Sequence, residues 1–142
     1  NHHFYWGDEH YALTVGPDRA TRMNACRTAL DSGVPMAIHS DAPVTPLGPL
    51  FTAWAAINRV TASGRIQGQE ERIQVHEALW AITMGAAYTL HLDGEIGSIE
   101  TGKKADFAVL EADPTACDPM QLKDIGVWGT VQGGRIFPAA GL

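Results

Sequence analysis

The sequence has few cysteines and no long apolar run, and each shortage excludes a class of protein. Cys26 and Cys117 are the only cysteines and form no C-x-x-C motif, so a disulfide framework is not expected, although the two thiols could still pair. This cysteine usage favours a reducing compartment, and a cytoplasmic location is expected. No apolar run approaches the roughly 20 residues of a membrane span, and the start does not resemble a signal peptide.

Positive charge is also scarce. Lys and Arg number 10 against 16 Asp and Glu, which gives a net charge of −6, and the only basic run is Lys103-Lys104. Neither nucleic acid nor a membrane is therefore expected as a partner. The chain begins with Asn1 rather than Met, which we interpret as a hint that it comes from a larger protein.

The sequence does contain enough apolar residues for a packed core. Hydrophobic residues make up 45% and charged residues 18% of the 142 residues, the size of one domain or of the end of a larger one. Helical spacing, a short apolar run and Pro/Gly punctuation predict a loop, a helix, a buried strand and two further helices, over 1–16, 17–33, 34–38, 50–62 and 75–89 respectively. This alternation of helix and strand is typical of α/β folds with parallel strands.

The pattern changes at Asp93, where glycine becomes frequent. The segment FAVLE, residues 107–111, reads as a strand. The segment IGVWGTVQGGRIF, residues 125–137, predicts two strands joined by a tight turn at Gly133-Gly134. The last fifty or so residues are therefore expected to be β.

Asp41 is a candidate functional residue by its position. It follows the predicted strand within MAIHSDAPV, residues 36–44, and Pro43 restricts the backbone just after it. In α/β folds the carboxyl ends of the strands carry the chemistry, because the loops there converge on one face. The alternative is an aspartate that only caps the turn through backbone amides.

Several segments carry a family resemblance. GVPMAIHSDAPV, VHEALWAITMGAA and GEIGSIETGKKADFAVLEADP resemble the end of a metal-dependent amidohydrolase, in the branch often called amidohydrolase family 3 or YtcJ-like. The closing VQGGRIF and the opening HHFYWGDEH followed by VGPDRA fit the same branch. The resemblance covers essentially the whole chain.

The resemblance implies a fold and two domains. Residues 1–92 would be the last part of a (β/α)8 TIM-type barrel, with 34–38 as its eighth strand. Residues 93–142 would supply strands of a small β-sandwich. The implied activity is hydrolysis of a C–N bond in an amide or cyclic amide, with a small molecule as substrate.

The resemblance also implies a role for Asp41. The family's aspartate at the end of strand eight matches this residue, which would bind a divalent metal, expected to be zinc, and accept the proton of the attacking water. The family's other ligands, a His-x-His pair, a lysine or glutamate and two further histidines, have no counterpart here. The chain is therefore expected to be an incomplete enzyme, inactive alone, that associates with the rest of the barrel or with other chains.

Other candidates surround Asp41 in the sequence. His2, His3 and His10 lie in a segment rich in aromatic residues that could line a substrate pocket. One of His2 and His3, with His3 preferred, is predicted to contact substrate, and so are Trp6 and Ser40. Ser40 lacks a Gly-x-Ser-x-Gly context and is not expected to be a nucleophile; it could equally be a packing neighbour. His39 could share a face with Asp41, although a structural role is the better interpretation.

Two other functions stay open on sequence alone. The chain could belong to a non-catalytic protein that uses the amidohydrolase scaffold to bind a small molecule or a regulatory partner. It could also fold by itself as a β-rich interaction module, although the open barrel edge argues against this. Upstream histidine ligands would distinguish the first alternative from an enzyme.

Overall fold

A computed structural model describes residues 1–140 of the chain. It contains six α-helices, α1 to α6, and three strands, β1 to β3, with a π-helical turn and two 3-10 helices between them. The helices α1 to α6 are His2–Glu9, Pro17–Ala20, Cys26–Asp31, Pro49–Asn58, Val75–Ile82 and Met84–Thr89. The strands β1 to β3 are Phe107–Leu110, Val127–Gln132 and Arg135–Pro138. The π-helical turn is His10–Thr14, and the 3-10 helices are Gln69–Glu71 and Pro119–Asp124.

The first 16 residues are mostly helical, so their prediction as a loop is wrong. Helix α1 continues directly into the π-helical turn His10–Thr14. The ring of Phe4 packs edge-to-face on the rings of Phe51 and Trp54, at centroid distances of 5.2 and 5.7 Å. Tertiary packing of this aromatic face therefore stabilises a helix whose own sequence shows no helical periodicity.

The helix predicted over 17–33 is broken into α2 and α3. Asn24, between them, has a left-handed backbone with φ of 53°. The carbonyls of Thr21, Met23 and Asn24 all accept hydrogen bonds from the side chain of Arg59. Because the helix is broken here, these three carbonyls bond the buried guanidinium of Arg59.

The strand predicted over 34–38 is not formed, and that prediction is wrong for the described chain. Its one main-chain bond to a distant segment runs from the Ile38 N–H to the Ala81 carbonyl, at 3.4 Å. A strand requires a neighbouring strand, and the sheet within residues 1–140 contains β1 to β3 only. The segment nevertheless packs through Met36 and Ile38 against the core.

Helices α4 and α5 form the centre of the core. Ala53, Trp54 and Ile57 of α4 are buried together with Ala78 of α5. The prediction placed the end of α4 at residue 62, but the helix ends at Asn58 because Arg59 adopts a left-handed conformation. The predicted helix over 75–89 is present, but it is interrupted at Thr83 into α5 and α6.

The strands predicted near the C-terminus are confirmed. They form an antiparallel sheet in the order β1-β2-β3, with Phe107 opposite Val131 and Gln132 opposite Arg135. Gly133 and Gly134 join β2 to β3 with positive φ at both positions, as a tight hairpin turn requires. The described chain is thus a mixed α/β structure with one small antiparallel sheet.

The 3-10 helix Pro119–Asp124 anchors the C-terminal part on α4. Leu122 is fully buried there. The indole N–H of Trp54 donates to the Met120 carbonyl at 2.9 Å, and the Asn58 amide donates to the Pro119 carbonyl at 2.9 Å. None of the helices within residues 1–140 is long and apolar enough to cross a membrane.

Candidate active site

Asp41 occupies a tight turn that follows the segment 34–40, which forms neither helix nor strand. Its backbone is left-handed, with φ of 61°. The amides of Val44 and Thr45 donate to the Asp41 carbonyl at 2.8 and 3.3 Å, and the Asp41 amide donates to Nδ1 of His39 at 3.0 Å. A non-glycine residue keeps this conformation only where its surroundings hold it, so the turn fixes the direction of the Asp41 side chain.

His2 is in contact with the Asp41 carboxylate. Its Nε2 lies 2.8 Å from Oδ2, close enough for an ion pair when His2 is protonated. The two atoms are nonetheless not aligned as a hydrogen bond, and Nε2 has no other hydrogen-bond partner in residues 1–140. Both side chains are more than a third exposed, so the pair contributes little to stability.

A cavity of about 710 Å³ opens beside this pair. One wall is apolar, and the polar groups His2, His3, His39 and Asp41 also line it. The full lining comprises Asn1, His2, His3, His10, Val15, Met23, Asn24, Ala25, Cys26, Met36, Ala37, Ile38, His39, Asp41, Thr52, Ala55, Ala56 and Arg59. Its size and its mixture of apolar wall and few polar groups are typical of a small-molecule site.

His3 is a buried, neutral histidine in the cavity wall. Its Nε2 lies 3.2 Å from the Arg59 carbonyl, and because a carbonyl only accepts, Nε2 carries the proton. Burial first, and the nearby Arg59 charge second, lower the pKa of His3 to about 4. His3 is therefore uncharged at neutral pH, and its Nδ1 is a buried acceptor with no hydrogen-bond partner among residues 1–140.

Arg59 organises the main chain behind the cavity. It is 1% exposed. Besides the turn between α2 and α3, its guanidinium donates to the Gln67 carbonyl at 3.0 Å. Burial lowers the pKa of Arg59 below its ordinary value. These bonds to carbonyl dipoles stabilise the buried charge and fix the loop that carries Met23 and Asn24 into the cavity wall.

The residues singled out from the sequence do not all lie at the cavity. Asp41 and His3 line it, as do His2, His10 and His39. Ser40 is buried behind the turn, where its carbonyl accepts a hydrogen bond from the Thr45 hydroxyl. Trp6 lies outside the lining and is 39% exposed.

Sequence reasoning missed Asn1, Thr52 and Arg59. Asn1 and Thr52 lie in the lining, and the Thr52 hydroxyl donates to Oδ1 of Asn1 at 2.7 Å. A lone amide, a lone hydroxyl and one basic residue at a helix end carry no pattern that would reveal such contacts.

The donor set fits part of a metal site. Asp41 offers a carboxylate oxygen, which divalent first-row metals accept as a ligand, and the unpartnered Nε2 of His2 lies against it. Within residues 1–140 there is no group of three or more His, Cys, Asp or Glu side chains arranged to hold a metal ion. The described residues therefore fit as members of a larger set and not as a complete one.

Comparison with known proteins places these features in a family. The family model described as "Amidohydrolase family" matches residues 1–138. The chain is 33% identical over 138 residues to the amidohydrolase-like protein YtcJ of Bacillus subtilis strain 168, covering 94% of this chain and 26% of that protein. It is 31% identical over 127 residues to the N-substituted formamide deformylase of Arthrobacter pascens, covering 89% of this chain and 23% of the deformylase.

A solved structure shows a similar fold. The guanine deaminase of E. coli superposes with a TM-score of 0.61 at 23% identity, covering 80% of this chain and 30% of the deaminase. The chain spans about a quarter of the length of YtcJ and of the formamide deformylase.

Proposed function

Because the chain belongs to the amidohydrolase family, we propose that it supplies the last part of the catalytic unit of an enzyme that hydrolyses C–N bonds in amides or cyclic amides. Two of its relatives are named for such chemistry, an N-substituted formamide deformylase and an imidazolonepropionase, and a third is a guanine deaminase. The observation that carries the proposal is the placement of Asp41. Its carboxylate belongs to a tightly bonded turn and lines the cavity.

The finer architecture is part of this proposal. Residues 1–92 would complete a (β/α)8 barrel, in which 34–38 becomes the eighth strand once neighbouring strands pair with it. Residues 93–142 would join a β-sandwich; the last two lie outside the described residues. The amides of Val34 and Ile38 are bonded to the Ala29 and Ala81 carbonyls, and the remaining main-chain groups of 34–38 make no main-chain hydrogen bond within residues 1–140. Those groups are available to neighbouring strands, which supports this assignment. The chain alone would then be inactive, and the rest of the barrel would be its main partner.

Asp41 would hold a divalent metal, expected to be zinc, together with ligands from the rest of the protein. Such an ion, when bound, lowers the pKa of a coordinated water to about 7. Asp41 would accept the proton of the water whose oxygen attacks the carbonyl carbon. It would return that proton to the leaving nitrogen as the C–N bond breaks.

The other candidate contacts have different support. His3, neutral in the cavity wall, would face the substrate side of the site. Ser40 would act through the shape of the turn, because its side chain is buried behind it. Trp6 would reach substrate only from outside the described cavity. A cytoplasmic location is likewise proposed, supported by the free thiols of Cys26 and Cys117.

Asp41→Ala and Asp41→Asn in the full-length protein test this function. The wild type is assayed, with zinc added, against an N-substituted formamide, a cyclic imidazolone and guanine. Both variants should lower kcat on whichever compound is hydrolysed by about 10²–10⁴-fold, because proton transfer to a positioned base is lost, while the circular dichroism spectrum is retained. Asp31→Ala, which removes an exposed carboxylate paired with Arg27, is the matched control and should leave kcat unchanged.

Two outcomes would contradict the proposal. Turnover by Asp41→Ala within tenfold of the wild type would remove Asp41 from the mechanism. Tight binding of these compounds by the wild type without any hydrolysis would favour the scaffold-binding alternative.

A further inference from the structure

Asn1 contacts the chain where it leaves the Asp41 turn. Its side-chain amide donates to the Pro46 carbonyl at 2.9 Å, five residues after Asp41. Pro46 directly follows Thr45, whose amide donates to the Asp41 carbonyl. Asn1 therefore holds the exit of the turn from which the carboxylate projects.

A second contact fixes Asn1 to the core. The Oδ1 atom of Asn1 accepts a hydrogen bond of 2.7 Å from the hydroxyl of Thr52. Thr52 is buried in the first half of α4, the helix that also carries the core residue Trp54. Through Asn1 the turn is thus tied to the most buried helix of the chain.

The Asp41 turn needs such a tie. The bonds from Val44 and Thr45 to the Asp41 carbonyl, and from the Asp41 amide to His39, all lie within the turn itself and do not fix its position relative to the helices. The Ile38 amide is bonded to the Ala81 carbonyl of α5 before the turn, so the tie through Asn1 acts on the other side of it. Asp41 has a left-handed backbone, which an aspartate keeps only when its surroundings hold it. A reacting carboxylate must also be held within about 0.5 Å of its working position.

We propose that Asn1 is a positioning residue for Asp41, acting as a brace between the Asp41 turn and α4. The proposal rests on the proposed function of Asp41. An asparagine suits this place because its amide group donates to Pro46 and accepts from Thr52 at the same time. Aspartate would keep only the acceptor, and alanine would keep neither.

The test is Asn1→Ala in the full-length protein, with two readouts. Amide hydrogen exchange of Val44 and Thr45 should become about tenfold faster or more, because the turn opens more often without its tie. On a compound that the wild type hydrolyses, kcat should fall about 10–100-fold with KM changed less than about threefold, as is typical when a residue that orients a catalytic ligand is lost.

Asn58→Ala is the matched control. The Asn58 amide also bonds two carbonyls, those of Trp54 and Pro119, but neither lies in the Asp41 turn. This variant should leave the exchange of Val44 and Thr45 and the value of kcat close to those of the wild type. An equal fall of kcat in Asn1→Ala and Asn58→Ala would overturn the brace, since it would reflect general destabilisation.

Thr52→Val tests the contact between Asn1 and Thr52 in a double-mutant cycle. If the brace acts through Thr52, adding Thr52→Val to Asn1→Ala should lower kcat no further than Asn1→Ala alone. Full additivity would overturn that link. An Asn1→Ala variant with unchanged amide exchange and kcat within twofold of the wild type would overturn the proposal as a whole.

The two readouts separate this proposal from the proposed function. The exchange measurement requires neither substrate nor metal, so it reports on the brace even if no compound is hydrolysed. Loss of turnover in Asp41→Ala with no effect of Asn1→Ala would defeat the brace alone. Normal turnover in Asp41→Ala together with faster amide exchange in Asn1→Ala would contradict the catalytic role of Asp41. It would still support the structural contact of Asn1 with the Asp41 turn.

Discussion

Residues 1–92 and residues 93–140 are stabilised in different ways. Within the described chain, all buried polar or charged residues belong to the first region, among them Arg59, Gln67 and Glu71. The second region has two buried apolar side chains, Leu122 and Val131, and otherwise consists of a largely exposed sheet, one 3-10 helix and turns. The first region thus depends on buried polar groups that bond distant segments, whereas the sheet of the second region depends on strand pairing, and only its 3-10 helix Pro119–Asp124 is bonded to α4.

The difference follows from where the cavity lies. Every residue of its lining belongs to the first region. The irregular main chain behind a cavity wall has buried N–H and C=O groups that need hydrogen-bond partners, and buried polar side chains supply them. Replacing such a side chain leaves these main-chain groups without a partner. Breaking one such bond should therefore destabilise the first region far more than an equally local change destabilises the second.

The largest effect is expected from Arg59→Leu. The substitution removes the guanidinium that donates to the carbonyls of Thr21, Met23, Asn24 and Gln67, of which Asn24 also accepts from the Cys26 amide. The loss should lower the free energy of opening of α4 by about 3–5 kcal/mol. Hydrogen exchange of α4 amides in the full-length protein measures this change, and β2 amides measured in the same sample should not change.

Arg65→Leu provides the comparison for that variant. Arg65 is 41% exposed at its side chain and lies 3.4 Å from the Asp8 carboxylate, over the ring of Tyr11. Its removal should change the opening free energy of α4 by less than about 1 kcal/mol, since exposed ion pairs contribute little. Equal effects of the two variants would mean that burial does not increase the contribution of Arg59 to the opening free energy of α4.

An intermediate effect is expected from acidification. The pKa of His3 is about 4 in the folded chain against an ordinary value of 6.5, so between these values the unfolded chain binds more protons than the folded one. The stability that neutral His3 provides is complete above pH 6.5 and is lost as the pH falls to about 4. The loss in opening free energy of α1 should be on the order of 3 kcal/mol.

His3→Asn isolates this contribution. An asparagine can still donate to the Arg59 carbonyl but does not titrate, so the pH dependence of α1 opening between pH 6.5 and 4.5 should flatten. The fall at lower pH should remain, because hydrogen bonds lower the pKa of Glu71 and Glu77, and the stability from these carboxylates is lost once they protonate. An unchanged slope in His3→Asn would show that another group titrates in this window.

The same contrast explains how far the sequence could predict the structure. The hairpin was predictable because Gly133-Gly134 and its flanking strands carry their whole signal within about a dozen residues. A strand was predicted over 34–38 but is not formed within residues 1–140, because a strand is completed by partners elsewhere in the protein. The break at Asn24 was not predicted, because it depends on Arg59, 35 residues away.

The candidate site divides in the same way. The position of Asp41 after an apolar run and before Pro43 could be read from a short pattern. The proton on Nε2 of His3, set by the Arg59 carbonyl 56 residues away, could not. Nor could the bond between Asn1 and Thr52, which joins residues 51 positions apart. Contacts of this kind become visible only when the chain is folded.

An effect smaller than that of Arg59→Leu or of acidification is expected at two matched glycines, one in each region. Gly134 has φ of 81° and Gly64 has φ of 85°, and a Cβ added at either would meet no atom within 4 Å. Alanine at either position should therefore cost only the left-handed backbone strain, about 1–2 kcal/mol. The two variants should differ in how far from the substituted glycine amide hydrogen exchange becomes faster.

Gly134→Ala should accelerate exchange along β2 and β3 together, because the turn is what keeps these neighbouring strands in register. Gly64→Ala should act only on its own turn, because Asp8 holds that turn from α1: its carboxylate accepts from the Ser63 amide at 2.9 Å and from the Thr61 hydroxyl at 2.9 Å. Spread of the Gly64→Ala effect into α4 would show that the first region is as locally determined as the second, and the contrast between the two regions would then fail.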